Sequence, residues 1–289
     1  MQPFFYTNLM KKIKRVYLEI TNICNLTCSF CIRHGREYKS MSVDQIRYAI
    51  HQIKDVSEYI YLHVQGEPLL HPKLEEIFEI LDEYNMKVQL VTNGSLLKNN
   101  FWLLKKKCLR KISFSAHSLD EQNTNPEDWL NVVFDFMSQA SLQQSPYCEI
   151  RFWNQNNLSK CSKEAIQWIS ERYHLTETSR KGSWKIMNNC YLHYDNQFSW
   201  PENTGISLNT GTCHGGVDMI AILVDGTVVP CCLDAKGIIQ LGNIFKTSLT
   251  DIMESNRYLQ MVQGFKNHKI TEELCKHCTY RHRFIKQAK

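Results

Sequence analysis

Across roughly its first two-thirds, this 289-residue chain alternates short β-rich runs with amphipathic helical stretches, and this limits the fold more than any other feature. Arg15 to Ile20, Tyr59 to Val64, Lys87 to Thr92, Lys111 to Ala116 and Cys148 to Trp153 read as strands, with a further β-rich segment within Trp184 to Phe198. Between them, Met41 to Ile53, Pro72 to Tyr84, Leu96 to Lys107, Asn125 to Ala140 and Lys163 to His174 have helical spacing. Ser42 is the expected N-cap of the first helix, and Pro72 opens the second. Six βα-like units in series predict an α/β fold with parallel strands joined by right-handed crossovers, either a doubly wound sheet or a partial barrel.

The texture changes near residue 200. Pro, Asn, Gly and Thr dominate 201–212, and MIAILVDGTVVPCC then reads as a hairpin turning at Asp225–Gly226. A helix is expected over about Ser248 to Phe265. The expected division is an N-terminal extension (1–13), a core (14–200) and a small C-terminal domain (201–289).

No stretch approaches the roughly 18 apolar residues of a membrane span. The N-terminus places its apolar residues before its charges, the reverse of a secretory signal. A cytoplasmic protein with no membrane partner is therefore expected. In a reducing compartment, clustered cysteines point to metal or catalysis before disulfides. Of the twelve cysteines, Cys24, Cys28 and Cys31 form one group and Cys213, Cys231, Cys232, Cys275 and Cys278 another. Cys108, Cys148, Cys161 and Cys190 stand apart and read as small buried residues.

Cys24, Cys28 and Cys31 are spaced Cys-x3-Cys-x2-Cys in the loop after the first strand. Three thiolates on one loop can hold three irons of a [4Fe–4S] cubane and leave the fourth iron open. Structural zinc prefers four closed ligands, and His34, three residues on, is a candidate for the fourth.

This spacing, with Phe30 before the last cysteine, resembles the radical S-adenosylmethionine (SAM) superfamily. The resemblance implies a partial (β/α)6 barrel and SAM bound to the open iron through its amino and carboxylate groups. It also implies a 5′-deoxyadenosyl radical that takes a hydrogen atom from substrate. Other motifs fall at later strand ends, where α/β barrels carry their chemistry. Gly66-Glu67-Pro68 is similar to the family's GEP motif for the SAM amino group, and Asn93 ends the third strand. Ser115 and His117 end the fourth, where the family often places a SAM-contacting Ser. Arg151 lies on the fifth strand, where related enzymes hold the SAM carboxylate or substrate. An unpaired Arg there would be costly, so an acidic ligand partner is expected. Asn93 also suits an ordinary turn, and His117 a hydrogen-bonded structural role. His63 and Gln65 are candidates for the substrate cavity.

Cys213, Cys231, Cys275 and Cys278 resemble the opening of the SPASM domain, an auxiliary iron–sulfur module, but no cysteine follows Cys278. Four ligands suffice for one closed [4Fe–4S] cluster, the shorter Twitch arrangement of 2-deoxy-scyllo-inosamine dehydrogenase. Zinc is the rival occupant. Cys232 is surplus to four ligands, and reads either as a small buried residue or as a hydrogen-donating thiol.

The resemblance implies a peptide or small-molecule substrate and an electron donor such as flavodoxin or ferredoxin. The net charge of +5 is mild, and the run Lys105–Lys106–Lys107 suits a solvated helix end, so nucleic acid is not the expected partner. Modification of an RNA base and a non-catalytic iron–sulfur or RNA-binding scaffold are the alternative readings.

Overall fold

A computed structural model describes residues 13–202, 205 and 207–284; the expected extension 1–13 lies outside the described residues except for Ile13. The first half runs β1 (Arg15–Leu18), α1 (Val43–Val56), β2 (Tyr59–Tyr61), α2 (Leu74–Glu83), β3 (Lys87–Thr92), β4 (Leu109–Ser115), α3 (Pro126–Gln143), β5 (Tyr147–Phe152) and α4 (Lys160–Arg172). Then follow β6 (Thr176–Glu177), β7 (Ser183–Met187) and β8 (Cys190–Tyr194). The C-terminal part contains β9 (Met219–Ile222), β10 (Thr227–Val229), β11 (Gly242–Asn243), α5 (Leu249–Glu254), α6 (Asn256–Lys266) and α7 (Glu273–His277).

The strands among the described residues join one sheet, in the order β11-β10-β9-β1-β2-β3-β4-β5-β8-β7-β6. The stretch from β1 through β5 to β8 is parallel throughout, which is the six-strand pattern of the partial barrel. One face of each strand packs against the helices. Val16, Leu18, Ile60, Val88, Leu90, Ile112 and Phe114 are buried in a core with Ile46, Ile50 and Ile53 of α1 and Leu130, Val133 and Met137 of α3. The opposite face points into the barrel. There the alternate residues are polar: Gln89 on β3, Lys111, Ser113 and Ser115 on β4, Glu149 and Arg151 on β5.

The helix starts follow local chemistry. Ser42 and Gln45 form a capping box on α1, with Gln45 N–H donating to Ser42 Oγ at 3.2 Å. Asn125 accepts from Glu127 N–H at 3.0 Å and caps α3, with Pro126 as its first residue.

Several expectations need correction. Leu96 to Lys107 is not an α-helix but two 3-10 segments, Leu97–Asn99 and Phe101–Lys105. Asn100 breaks it by turning its side chain back, donating to the Leu96 carbonyl at 2.8 Å. Pro72 precedes α2 instead of opening it, because the His71 ring accepts from Lys73 N–H at 3.2 Å and shapes a turn there. The Ser248–Phe265 helix is interrupted at Ser255, whose extended backbone ends α5 while its hydroxyl caps α6. The hairpin turn is one residue longer than Asp225–Gly226 alone. Leu223 N–H donates to Thr227 O, bracketing Val224, Asp225 and a left-handed Gly226 (φ 85°).

Strand β9 pairs in parallel with β1, so the C-terminal hairpin continues the barrel sheet past its first strand. Strand β10 returns antiparallel to β9. Cys213 precedes β9 and Cys231 follows β10, and both therefore sit at the end of the barrel where β1 begins. Cys24, Cys28 and Cys31 follow β1, at the other end. Strands rise about 3.3 Å per residue, so β1 alone separates the two ends by roughly 10 Å.

Candidate active site

A single cavity of about 1110 Å³ runs through the barrel interior, and both cysteine groups line it. The first group sits on an irregular loop. Cys24 and Cys31 are exposed and Cys28 is half-buried. Cys31 N–H donates to the Cys28 carbonyl at 3.0 Å, and the two thiols hydrogen-bond each other, which holds the Cys28 proton and eases that of Cys31. Leu26 N–H points at Cys24 Sγ at 3.4 Å, a donor suited to a thiolate. The loop is pinned from outside. Asn25 donates to Ser95 Oγ at 2.9 Å, Ser29 N–H to Glu121 at 2.9 Å, and Trp200 Nε1 to the Phe30 carbonyl at 2.8 Å.

Below this loop a buried carboxylate ties it to the rest of the molecule. Glu19 is fully buried and takes both Arg36 terminal nitrogens at 2.7 Å. It also accepts Gln65 N–H at 3.1 Å and Val224 N–H at 2.9 Å. Arg36 Nε donates to the Ala235 carbonyl at 2.8 Å. One carboxylate thus joins the cysteine loop, the end of β2 and the turn between β9 and β10.

The expected SAM-contacting residues divide into two sets. Phe30, Gly66, Ser115, His117 and Arg151 line the cavity, as do His63 and Gln65. Glu67, Pro68 and Asn93 lie behind its wall. The Glu67 carboxylate accepts from Thr92 Oγ1 at 2.7 Å, Asn93 N–H at 2.7 Å and Leu69 N–H at 3.0 Å. Burial pushes its pKa up to about 7 against the pull of these donors. Asn93 reaches the cysteine loop by donating to Asn25 Oδ1 at 3.0 Å, and its carbonyl accepts from Gln122 and Trp129 at 2.9 Å each. Gly66 is left-handed (φ 79°), and a Cβ there would come within 2.5 Å of the Thr21 carbonyl.

Arg151 differs from expectation, because the chain supplies an acidic partner. Its Nε lies 3.9 Å from Glu149, two residues away on the same strand face, and its guanidinium stacks 3.7 Å over the Trp153 ring. Glu149 also binds Lys111 at 2.9 Å and Arg180 at 3.2 Å, and these cations hold it ionised despite its burial. His117 packs against Phe30 and stacks on Trp153, and its Nδ1 hydrogen-bonds the Arg151 carbonyl at 3.2 Å. Burial lowers its pKa to about 4, so it is neutral at physiological pH.

At the far end, Cys213, Cys231, Cys275 and Cys278 face one another closely enough for their charges to interact. Burial first raises the thiols of Cys213, Cys231 and Cys275, and repulsion from neighbouring cysteines adds to it, that of Cys232 on Cys231 being the largest of these for Cys231. Four such thiolates stay together only around strongly cationic metal, so the donor set fits an iron–sulfur cluster. Gly215 N–H supports this by pointing at Cys213 Sγ at 3.4 Å. Among the described residues, no three His, Cys, Asp or Glu groups close tightly around a single-ion position. Cys232 turns away from this set, towards Tyr17 and Arg15, and lines the cavity. Of the isolated cysteines, Cys108, Cys148 and Cys190 are buried and Cys161 is half-buried.

Residues 18–138 match the Radical SAM superfamily model, and residues 213–279 match SPASM, an iron–sulfur cluster-binding domain. The chain carries a radical SAM domain followed by a SPASM domain. A radical SAM domain binds SAM and a [4Fe–4S] cluster, and a SPASM domain binds additional iron–sulfur clusters. A curated relative is the GTP 3′,8-cyclase of Aquifex aeolicus, 31% identical over an alignment of 131 residues that covers 41% of this chain and 38% of the cyclase. The chain thus matches less than half the length of that relative. Among solved structures, BtrN in complex with AdoMet and 2-DOIA superposes with TM-score 0.61 at 18% identity, covering 93% of this chain and 94% of BtrN. Streptococcus suis SuiB bound to precursor peptide SuiA superposes with TM-score 0.58 at 14% identity, over 93% of this chain and 70% of SuiB. These likenesses show a shared radical SAM fold. No described helix is long and apolar enough to cross a membrane.

Glu19, Arg36, Glu121 and Trp200 carry no local motif. Glu19 and Arg36 pair across 17 residues, and their other partners and those of Glu121 and Trp200 lie further off, so no local spacing marks them.

Proposed function

We propose that this radical SAM enzyme takes a hydrogen atom from a carbon of a peptide or small-molecule substrate held between its two cysteine sets. The observation that carries this reading is the common cavity, open to Cys24, Cys28 and Cys31 at one end and to Cys213, Cys231, Cys275 and Cys278 at the other. Residues 14–200 form the core and 201–289 the auxiliary domain. When bound, the first cluster and SAM supply a 5′-deoxyadenosyl radical, and one auxiliary [4Fe–4S] cluster supplies an electron relay. A flavodoxin- or ferredoxin-type protein donates the initiating electron.

The chain's own residues hold and shield this chemistry. Phe30 and His117 pack over the mouth near the first cysteine set, and Ser115 and Arg151 present polar groups to SAM or substrate. Gly66 allows the backbone to approach closely, while Glu67 and Asn93 set the position of the cysteine loop without reaching the cavity.

The fate of the substrate radical depends on which group it meets. Loss of one electron to the auxiliary site and one proton to solvent gives oxidation. Transfer of a hydrogen atom from Cys232 gives net epimerisation and leaves a thiyl, which one electron and one proton restore. Cys232 suits the second path because it lines the cavity and because burial pushes its pKa up to about 11 against the pull of the Tyr17 hydroxyl, so it keeps its hydrogen.

Anaerobic incubation of the reconstituted protein with SAM and a strong reductant tests this reading. Formation of 5′-deoxyadenosine is expected. Its absence from protein carrying both clusters would overturn the enzymatic reading in favour of a non-catalytic scaffold.

A further inference from the structure

The barrel interior holds more positive charge than its own side chains neutralise. Lys111, Arg151 and Arg180 share one carboxylate, Glu149. Of the other acids lining the cavity, Asp195 is bound to Arg283 at 2.7 Å, and Asp234 accepts from the N–H groups of Ile238 and Ile239 at 2.8 Å each. Arg15 has no ion-pair partner among the described residues. It is half-buried: the Tyr61 hydroxyl accepts a hydrogen bond from it, Tyr17 and the Cys232 thiol lie beside it, and its Nε is buried without a hydrogen-bond partner. A guanidinium N–H held out of water with no acceptor is costly unless an anion meets it. Arg151 is also unsaturated: its 3.9 Å approach to Glu149 is long beside the 2.7–2.9 Å of a charge-assisted bond. Arg15 and Arg151 both line the cavity, and the charge of each reaches Tyr61 and Cys232. His63 lines it as well, with Nδ1 buried and unpartnered.

We propose that this region is an oxyanion subsite, in which Arg15 and Arg151 clamp a carboxylate or phosphate group of the substrate. Guanidinium forks match both groups bidentately. SAM's own carboxylate does not satisfy Arg15, because Arg15 opens β1 and lies at the barrel end away from Cys24, Cys28 and Cys31. The subsite orients the substrate, since an anion held there lies beside Cys232 and between the two cysteine sets. It deepens the proposed function, and rests on the same cavity being the substrate site.

The test is calorimetric titration of pyrophosphate and of succinate into the full-length, cluster-reconstituted protein with SAM present, with glucose as the neutral control. One or both anions are expected to bind and glucose not to. Arg15→Gln is expected to weaken binding by about tenfold or more, the loss of one charged hydrogen-bonded contact. Arg15→Lys, which keeps the charge, is expected to lose less, and guards against reading a folding defect as lost affinity. A preference for pyrophosphate marks a phosphate ester, and a preference for succinate marks a carboxylate. Neither anion binding better than glucose, or equal affinity in wild type and a folded Arg15→Gln, overturns the subsite. SAM cleavage by the wild-type protein is measured on the same sample. Cleavage without anion binding removes the subsite alone, and anion binding without cleavage removes the enzymatic reading alone.

Discussion

Arg15, the first residue of β1, lies across a parallel pairing from Met219, the first residue of β9. This register gives the molecule two chemically distinct ends. The cysteine loop follows β1, Cys213 precedes β9, and the barrel interior lies between them. The distance between the sets is therefore fixed by sheet geometry, which is stiffer than a linker between domains.

The Glu19–Arg36 pair holds that geometry at the top of β1. Glu19→Ala would strand the Arg36 guanidinium and the amides of Gln65 and Val224. Removing one partner of a buried, bidentate pair costs about 3–5 kcal/mol. Thermal or denaturant unfolding of the reconstituted protein should show that loss, together with poorer iron retention by the first cysteine set. A loss below about 1 kcal/mol would mean that the pair does not anchor the loop.

Gly66→Ala is expected to be disruptive without touching a ligand residue. The added Cβ would meet the Thr21 carbonyl and the Asn22 backbone, and the residue is left-handed. Backbone strain of this kind costs about 1–3 kcal/mol before the clash is counted. The β1 and β2 ends must then separate, which moves the cysteine loop. Circular dichroism melting should show the destabilisation, and unchanged melting would contradict the close approach.

Much of this arrangement was legible in the sequence because its signals are local. The strand periodicity, the Ser42 and Asn125 caps and the Cys-x3-Cys-x2-Cys loop all depend on neighbours within a few residues. Local alternation put Arg151 on the face opposite Ile150 and Phe152, either the barrel interior or the helix layer, and alternation alone does not pair it with Glu149. The 3-10 break at Asn100 and the helix interruption at Ser255 turn on single side chains bonding to backbone, where average helical periodicity says nothing. The pairing of β9 with β1, and the Glu19 hub that depends on it, join segments about 200 residues apart. No spacing rule reaches that far.

Cys232 separates the two outcomes for the substrate radical. If its hydrogen is delivered to the product, reaction in deuterated water places solvent deuterium on the product carbon, and Cys232→Ala abolishes that label while 5′-deoxyadenosine still forms. Full product formation by Cys232→Ala, with unchanged stereochemistry, would leave Cys232 a packing residue.

His117 gives the fold an acid limit. Its pKa is lowered from 6.5 to about 4, chiefly by burial. The folded state therefore binds fewer protons than the unfolded chain between these values. Its contribution to stability is present above pH 6.5 and is lost as pH falls towards 4, at up to about 1.4 kcal/mol per pH unit. His117→Phe should flatten the pH dependence of urea unfolding over that window relative to wild type. An identical slope in both proteins would show that His117 titrates normally.

The central claim, two clusters facing one cavity from opposite ends, is tested most directly by iron and acid-labile sulfide analysis after anaerobic reconstitution. About eight irons per chain are expected, falling to about four in Cys24→Ala/Cys28→Ala/Cys31→Ala and again to about four in Cys213→Ala/Cys231→Ala/Cys275→Ala/Cys278→Ala. About four irons in the wild-type protein, falling to none when the first set alone is removed, would contradict it.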